Sequence, residues 1–220
     1  MNTPSFTLQT TGAAIGFYDR FEVSYAREFF DTRRTGAKLG LGDGYTFNED
    51  VFGAKLRVAG DAIYDQDNWL PQLAPGLQYK RSDNGAIVHA VGAKSTDGVD
   101  FYGSATKLLL EESVLLNVTL RATRANQLGI LGFGGDRSDA YSPEFEGSAA
   151  YLLNRQLAVG FEYREKPNNL RFAEENRWMD AFIAFFPTRN VSLTVAAVDL
   201  GSVAGQKDQR GVYLSAQFGF

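Results

Sequence analysis

The stretch Arg210-Gly-Val-Tyr-Leu-Ser-Ala-Gln-Phe-Gly-Phe220, which ends the chain, decides how the rest is read. Val212, Leu214, Ala216, Phe218 and Phe220 share one parity; Tyr213, Ser215, Gln217 and Gly219 share the other. Strict alternation gives a β-strand one apolar face and one polar or small face. A strand that runs out on a large aromatic is an aggregation hazard when its apolar face meets water. It is at home where the strand closes a barrel and that face meets lipid.

The bulk properties permit this reading. The chain has 220 residues, room for one large all-β domain. Hydrophobic residues make up 44% and mean hydropathy is −0.23. A membrane barrel tolerates such values because only alternate strand residues face lipid. No window approaches the roughly 18 consecutive apolar residues of a transmembrane helix, which excludes a helical membrane protein. The 23 Gly, 17 Phe and 10 Tyr suit strands that bend at glycine and rims that carry aromatic girdles. The absence of Cys rules out a disulfide framework and thiolate sites. A net charge of −4 without a Lys/Arg stripe argues against nucleic acid as a partner. Residues 1–8 lack the basic start, apolar stretch and small-residue cleavage site of a signal peptide.

Alternating segments recur at 5–17, 20–30, 51–61, 70–81, 99–110, 114–127, 144–153, 157–166, 178–187, 191–200 and 210–220. The clearest sets Leu116, Val118, Leu120 and Ala122 against Asn117, Thr119, Arg121 and Thr123. Connections alternate in size. Short ones fall at Tyr18-Asp19, Tyr64–Trp69, Glu111–Ser113, Asn154–Gln156 and Thr188–Asn190, long ones near 31–50, 82–98, 128–143, 167–177 and 201–209. Outer-membrane barrels have short periplasmic turns and longer extracellular loops. The expected fold is therefore all-β: an antiparallel up-and-down transmembrane β-barrel. If 210–220 descends to the periplasm, counting back gives eleven strands, whereas single-chain bacterial barrels have even numbers. The expectation is one barrel domain over 1–220, in a parent of twelve strands whose first strand and signal peptide precede it.

Two resemblances extend this. The terminal Phe220, with Phe218 and alternate apolar residues before it, resembles the C-terminal assembly signal of outer-membrane barrels, which implies the barrel-assembly machinery as a partner. Five stretches resemble a proteobacterial envelope family, domain-of-unknown-function family 3034. They are GFYDRFEVSYARE (16–28), DVFGAKLRVAGDAIYDQDNWLPQLAPGLQYKR (50–81), LRATRANQLGILGFGGDR (120–137), EGSAAYLLNRQLAVGFEYREKPNNL (146–170) and DQRGVYLSAQFGF (208–220). The resemblance implies an exported protein of the Gram-negative outer membrane with a longer N-terminus. Pro75 interrupts the segment at 70–81 and puts local pairing there in question.

Chemistry-bearing residues are few. His89 is the single histidine and has no serine two residues away; without a base–nucleophile pair the chain is expected not to be an enzyme. Asp61, Asp65, Asp67 and Asn68 lack the glycine and distal Glu of a calcium loop and read as a turn that caps its own backbone. Gly129-Ile-Leu-Gly-Phe-Gly-Gly-Asp-Arg137 lacks the Gly-Lys-Ser/Thr of a phosphate loop; it reads as an extracellular loop, with Leu131 and Phe133 hinting at a lid. Glu111-Glu112 and Glu174-Glu175 read as solvated turn charge. No cofactor or metal is expected. The inward parity places Glu22, Glu28, Lys55, Arg57, Gln78, Lys80, Arg121, Glu146, Glu162, Arg164, Asp180 and Gln217 in the lumen. Mixed charges in a confined space pair or line a polar path. The leading expectation is a narrow passive pore for a small solute. The alternative is a non-conducting structural or interaction barrel whose long loops make the contacts.

Overall fold

A computed structural model describes residues 1–65 and 68–220. Within the described residues eleven strands form one antiparallel meander in which each pairs with its sequence neighbours. They are β1 (Thr7–Phe17), β2 (Phe21–Asp31), β3 (Thr46–Leu56), β4 (Gln72–Ser82), β5 (Asp97–Leu109), β6 (Val114–Thr123), β7 (Ser142–Asn154), β8 (Leu157–Arg164), β9 (Trp178–Thr188), β10 (Val191–Asp199) and β11 (Arg210–Phe218). One end carries the connections 32–45, 83–96, 124–141, 165–177 and 200–209, which hold the short helices α1 (Arg33–Lys38) and α2 (Gly85–Ala90). At the other end four of the five turns are tight; the fifth, expected to be short at Tyr64–Trp69, spans 57–71 because β3 ends at Leu56. Tyr18 and Asp19 both take positive φ, 50° and 56°, as a twist-matched hairpin turn requires.

Alternation assigns the faces. On β6, Leu116, Val118 and Leu120 are exposed, while Asn117, Thr119, Arg121 and Thr123 point inward and are partly or fully covered. Phe161, Ile183, Val195, Leu214 and Phe218 continue the outward apolar belt. Two cross-strand rows mark its upper edge. Tyr25, Phe52 and Tyr79 are register neighbours on β2, β3 and β4, with ring centroids 5.0 and 6.3 Å apart. One row above, Arg27, Asp50, Arg81 and Asp97 are register neighbours of alternating charge. The tyrosine hydroxyls reach up to that row, Tyr25 to Asp50 at 2.7 Å and Tyr79 to Asp97 at 3.2 Å. Aromatics beneath charges are how a barrel marks the lipid boundary.

Two strands differ most from the sequence expectation. β6 ends at Thr123 rather than 127, where the chain turns inward, and β3 spans Thr46–Leu56 rather than 51–61. Its pairing with β4 stops at Lys55 opposite Gly76 and resumes at the single bridge between Ala59 and Leu73. The gap lies opposite Pro75, which still pairs with Gly103 of β5. The missing proline N–H thus falls where the β3 side makes no demand on it.

Candidate functional site

The inward charges meet toward the long-loop end, level with the aromatic and charged rows. Lys80 Nζ lies 2.9 Å from Asp100 Oδ2, and Arg121 lies 3.7 Å from the same oxygen. Arg121 Nε reaches Glu146 Oε1 at 2.6 Å, and Arg164 Nε lies 3.4 Å from it. Arg121 also donates to Gln78 at 2.9 Å and stacks over the Tyr102 ring at 5.1 Å. Five strands, β4 to β8, are thereby cross-braced through the interior. Asp100, 0% exposed, is absent from the lumen residues that the sequence names; its parity with Tyr102 and Ser104 is the signal that could have found it. Glu49 is the second such residue. It is 1% exposed and its Oε1 has no hydrogen-bond partner among the described residues.

The other sequence-derived residues spread along the lumen. Glu162 and Asp180 are register neighbours and share a cavity of ≈ 420 Å³ with Asn117, Glu146, Ser148 and Arg164. Glu22, Lys55 and Arg57 line a second cavity of ≈ 510 Å³ at the short-turn end. Arg57 lies just past β3 and pairs with Asp19 at 2.6 Å and Asp61 at 2.5 Å. Gln217 projects inward from β11 opposite Ser192. Glu28 sits opposite Glu49.

The long-loop end is covered. Phe6, Phe30, Phe47, Val88, Ile130, Leu131, Leu170, Leu200 and Val203 form one buried cluster to which every long connection contributes. The segment 126–134 folds inward as its floor. Gln127 and Leu128 take left-handed φ of 46° and 66°, a costly conformation for side chains other than glycine. Two buried side chains hold them. Both Glu175 oxygens accept from Gln127 N–H, at 2.9 and 3.0 Å, and Lys80 Nζ donates to the Leu128 carbonyl at 2.7 Å. Gly129 lies directly over Glu49, where a Cβ would collide with the carboxylate. Phe133, 0% exposed, exchanges backbone hydrogen bonds with Ser95 at 2.8 and 3.1 Å. Burial pushes the Glu175 carboxyl up to about 7, against the pull of Lys166 and the Gln127 N–H, and pushes the Lys166 ammonium down. Glu174 is exposed as expected but Glu175 is buried, a correction that follows from the loop folding inward. An apolar hollow of ≈ 820 Å³ opens beside this cover, lined by Phe30, Leu39, Leu41, Phe47, Ile87 and Val91.

His89 is exposed on α2, with Nδ1 3.1 Å from the Ala93 carbonyl oxygen. Asp61 accepts from the backbone of Ile63 and Tyr64, both at 2.9 Å, bonds that hold its carboxyl below the usual range. Asp67 lies outside the described residues.

An up-and-down meander with an outward apolar belt, an aromatic rim and a charged interior defines the class: an outer-membrane-type β-barrel. Within it, the chain belongs to the family of proteins of unknown function DUF3034, whose model matches residues 1–217. No curated protein sequence matches. Among solved structures, outer membrane phospholipase A from Escherichia coli is similar at 9% identity and TM-score 0.53, covering 96% of this chain and 80% of that one. The Salmonella typhi outer membrane phospholipase dimer with bound calcium is similar at 10% identity and TM-score 0.54, covering 96% and 78%. An active-site mutant of the E. coli enzyme gives 11% and 0.55, covering 96% and 77%. At such identities the likeness shows the fold alone. It does correct one expectation. The exclusion of an enzyme rested on a single histidine without a neighbouring serine; these three barrels of similar fold are phospholipases, so the exclusion is withdrawn.

Proposed function

We propose that the protein sits in the outer membrane of a Gram-negative bacterium as a barrel shut by its own side chains and loops, working through contacts made by its long loops rather than as a standing pore. The barrel-assembly machinery is its assembly partner, reading Phe218 and Phe220, both exposed at the end of the last strand. One observation carries the shut reading: Lys80 holds the inward-folded Leu128 carbonyl and the wall carboxylate Asp100 at once. The loop floor and the ion-pair brace are thus one connected network, and conduction would have to break buried charge pairs.

The narrow passive pore for a small solute stands as the second reading. It is favoured by the two polar cavities, with Glu146, Glu162, Arg164 and Asp180 in one and Glu22, Lys55 and Arg57 in the other. Planar-bilayer recording separates the two. The refolded protein is expected to give no steady conductance, and a variant with a Gly-Ser linker in place of residues 127–133 is expected to conduct. A steady current through the unaltered protein removes the shut reading and leaves the narrow pore.

A further inference from the structure

The two end strands of the meander do not meet. β1 pairs with β2 along its whole length and β11 pairs with β10, but β1 and β11 do not pack together along their lengths. Their inward-parity residues Thr10, Gly12, Ala14 and Gly16 on one edge, and Tyr213 and Gln217 on the other, are exposed. Within a bilayer, unpaired strand edges cost several kcal/mol for each unsatisfied backbone group. A wall with such a gap is therefore incomplete.

Asn2 shows what fits the gap. Its N–H donates to the Val212 carbonyl at 2.8 Å and its carbonyl accepts from Val212 N–H at 3.0 Å. On the other side Asn2 bridges Thr7, Leu8 N–H donates to the Met1 carbonyl at 3.0 Å, and the Met1 ammonium donates to the Leu8 carbonyl at 2.7 Å. Residues 1 and 2 thus form the topmost rung of a strand paired on both sides, antiparallel to each. Interstrand spacing is about 4.8 Å, so at this level the gap is one strand wide.

We infer that the slot between β1 and β11 is filled by one further antiparallel strand, the polypeptide that continues residues 1 and 2 toward the short-turn end. Its pattern follows from register. Asn2 is exposed and opposes the outward residues Thr7 and Val212, whereas Met1 packs inward against the buried cluster. Positions counted back from Asn2 by twos therefore face lipid and are apolar; those between face the lumen and are polar or small. Reaching the level of Phe17, opposite the turn, takes as many residues as β1 runs from Thr7, roughly ten at strand spacing. The inference concerns the wall and holds whether or not the lumen conducts.

Amide hydrogen exchange on the refolded 220-residue protein in lipid tests it. N–H direction alternates along a strand; since those of Leu8 and Val212 point into the slot, those of Thr10, Gly12, Ala14, Gly16, Leu214, Ala216 and Phe218 do too. These amides are expected to exchange within about tenfold of unstructured rates. A ten-residue N-terminal extension of alternating Leu and Ser, with Leu in phase with Asn2, is expected to slow them at least about 100-fold; the same extension shifted by one residue is not. Protection already present in the unextended monomer would mean the edges have closed on each other, and protection with the sedimentation mass of two chains would mean a second copy fills the slot. Either overturns the inference, as does an in-phase extension that protects nothing or a shifted one that protects equally. Should the extended chains fail to fold, a Thr10→Cys/Ser215→Cys variant decides. Across an open slot the two lie about two strand spacings apart, beyond the reach of a disulfide, and spontaneous bridging in the monomer overturns the inference.

Discussion

Lys80 is held between two acceptors. Its partners Asp100 Oδ2 and the Leu128 carbonyl lie at 2.9 and 2.7 Å, and Asp100 is fully buried. Removing one member of a buried pair strands the other, at a cost of about 3–5 kcal/mol. Lys80→Met is expected to lose stability in that range in urea titrations followed by tryptophan fluorescence. Lys80→Met with Asp100→Asn, which removes the stranded charge as well, is expected to recover most of it. Glu175 carries the pH dependence of the loop cover. Its folded pKa is raised to about 7, first by burial. A raised carboxyl contributes stability that is fully present below its unfolded value, about 4.3, and lost as pH rises through about 7. Lys166, pushed down by burial, acts in the opposite sense and loses its contribution as pH falls. Measured in a Lys166→Met background and corrected for intrinsic rates, the Phe133 amide is therefore expected to exchange faster at pH 8.5 than at pH 5.5. Glu175→Gln is expected to abolish the difference; an unchanged pH response in that variant would assign the effect elsewhere. Alternation names which charges look inward, and over 99–110 it extends to Asp100 as well. Glu49 is out of its reach, because it lies on the part of β3 before residue 51 that apolar residues alone do not mark.

At the level of the strand, the two faces of β6 should answer differently to the same intrusion. Val118 lies midway along it and faces out; Asn117 is inward, bonded to Thr106 at 2.7 Å. Arg on the lipid face near mid-bilayer costs about 2–4 kcal/mol, and far less near an interface. Val118→Arg is expected to lose that much in urea-driven folding into lipid vesicles. The inner face already offers polar neighbours to a new charge, so Asn117→Lys is expected to cost less than half as much. Equal costs would mean the strand is not lipid-facing on one side only. This two-residue period is what makes nearly every strand legible from sequence. β3 is the instructive departure. Thr46–Asp50 reads as a polar loop because Glu49 is buried inside and Asp50 stands above the lipid in the charged row, so neither carries the hydrophobic signal. Its other end reads too long because the break opposite Pro75 is fixed by the partner strand, not by residues 57–61 themselves. The inward fold of 126–134 is likewise only hinted at by Leu131 and Phe133. It depends on Lys80, Glu175 and Ser95, which lie far away in sequence.

Over the whole molecule, orientation and depth rest on two tryptophans that sit in opposite environments. Trp69 lies in the β3–β4 connection at the short-turn end and is 86% exposed. Trp178 begins β9 with its ring turned inward, beneath the Arg164 guanidinium at 5.5 Å and against the buried cluster. If the apolar belt is the membrane-facing surface, an exposed indole just beyond it belongs in the headgroup region, where aromatic side chains anchor a barrel. An indole inside the wall is screened from acyl chains by the wall itself. Single-tryptophan variants make this measurable, with Trp178→Phe reporting on Trp69 and Trp69→Phe reporting on Trp178. In vesicles of lipid brominated near the top of the acyl chain, Trp69 fluorescence is expected to fall by at least half and Trp178 fluorescence to change little. Bromine moved to the bilayer centre is expected to quench Trp69 less, because the residue sits at the rim rather than at mid-depth. Stronger quenching of Trp178 than of Trp69 would mean that the faces are inverted, and with them the lumen, the brace and the cover.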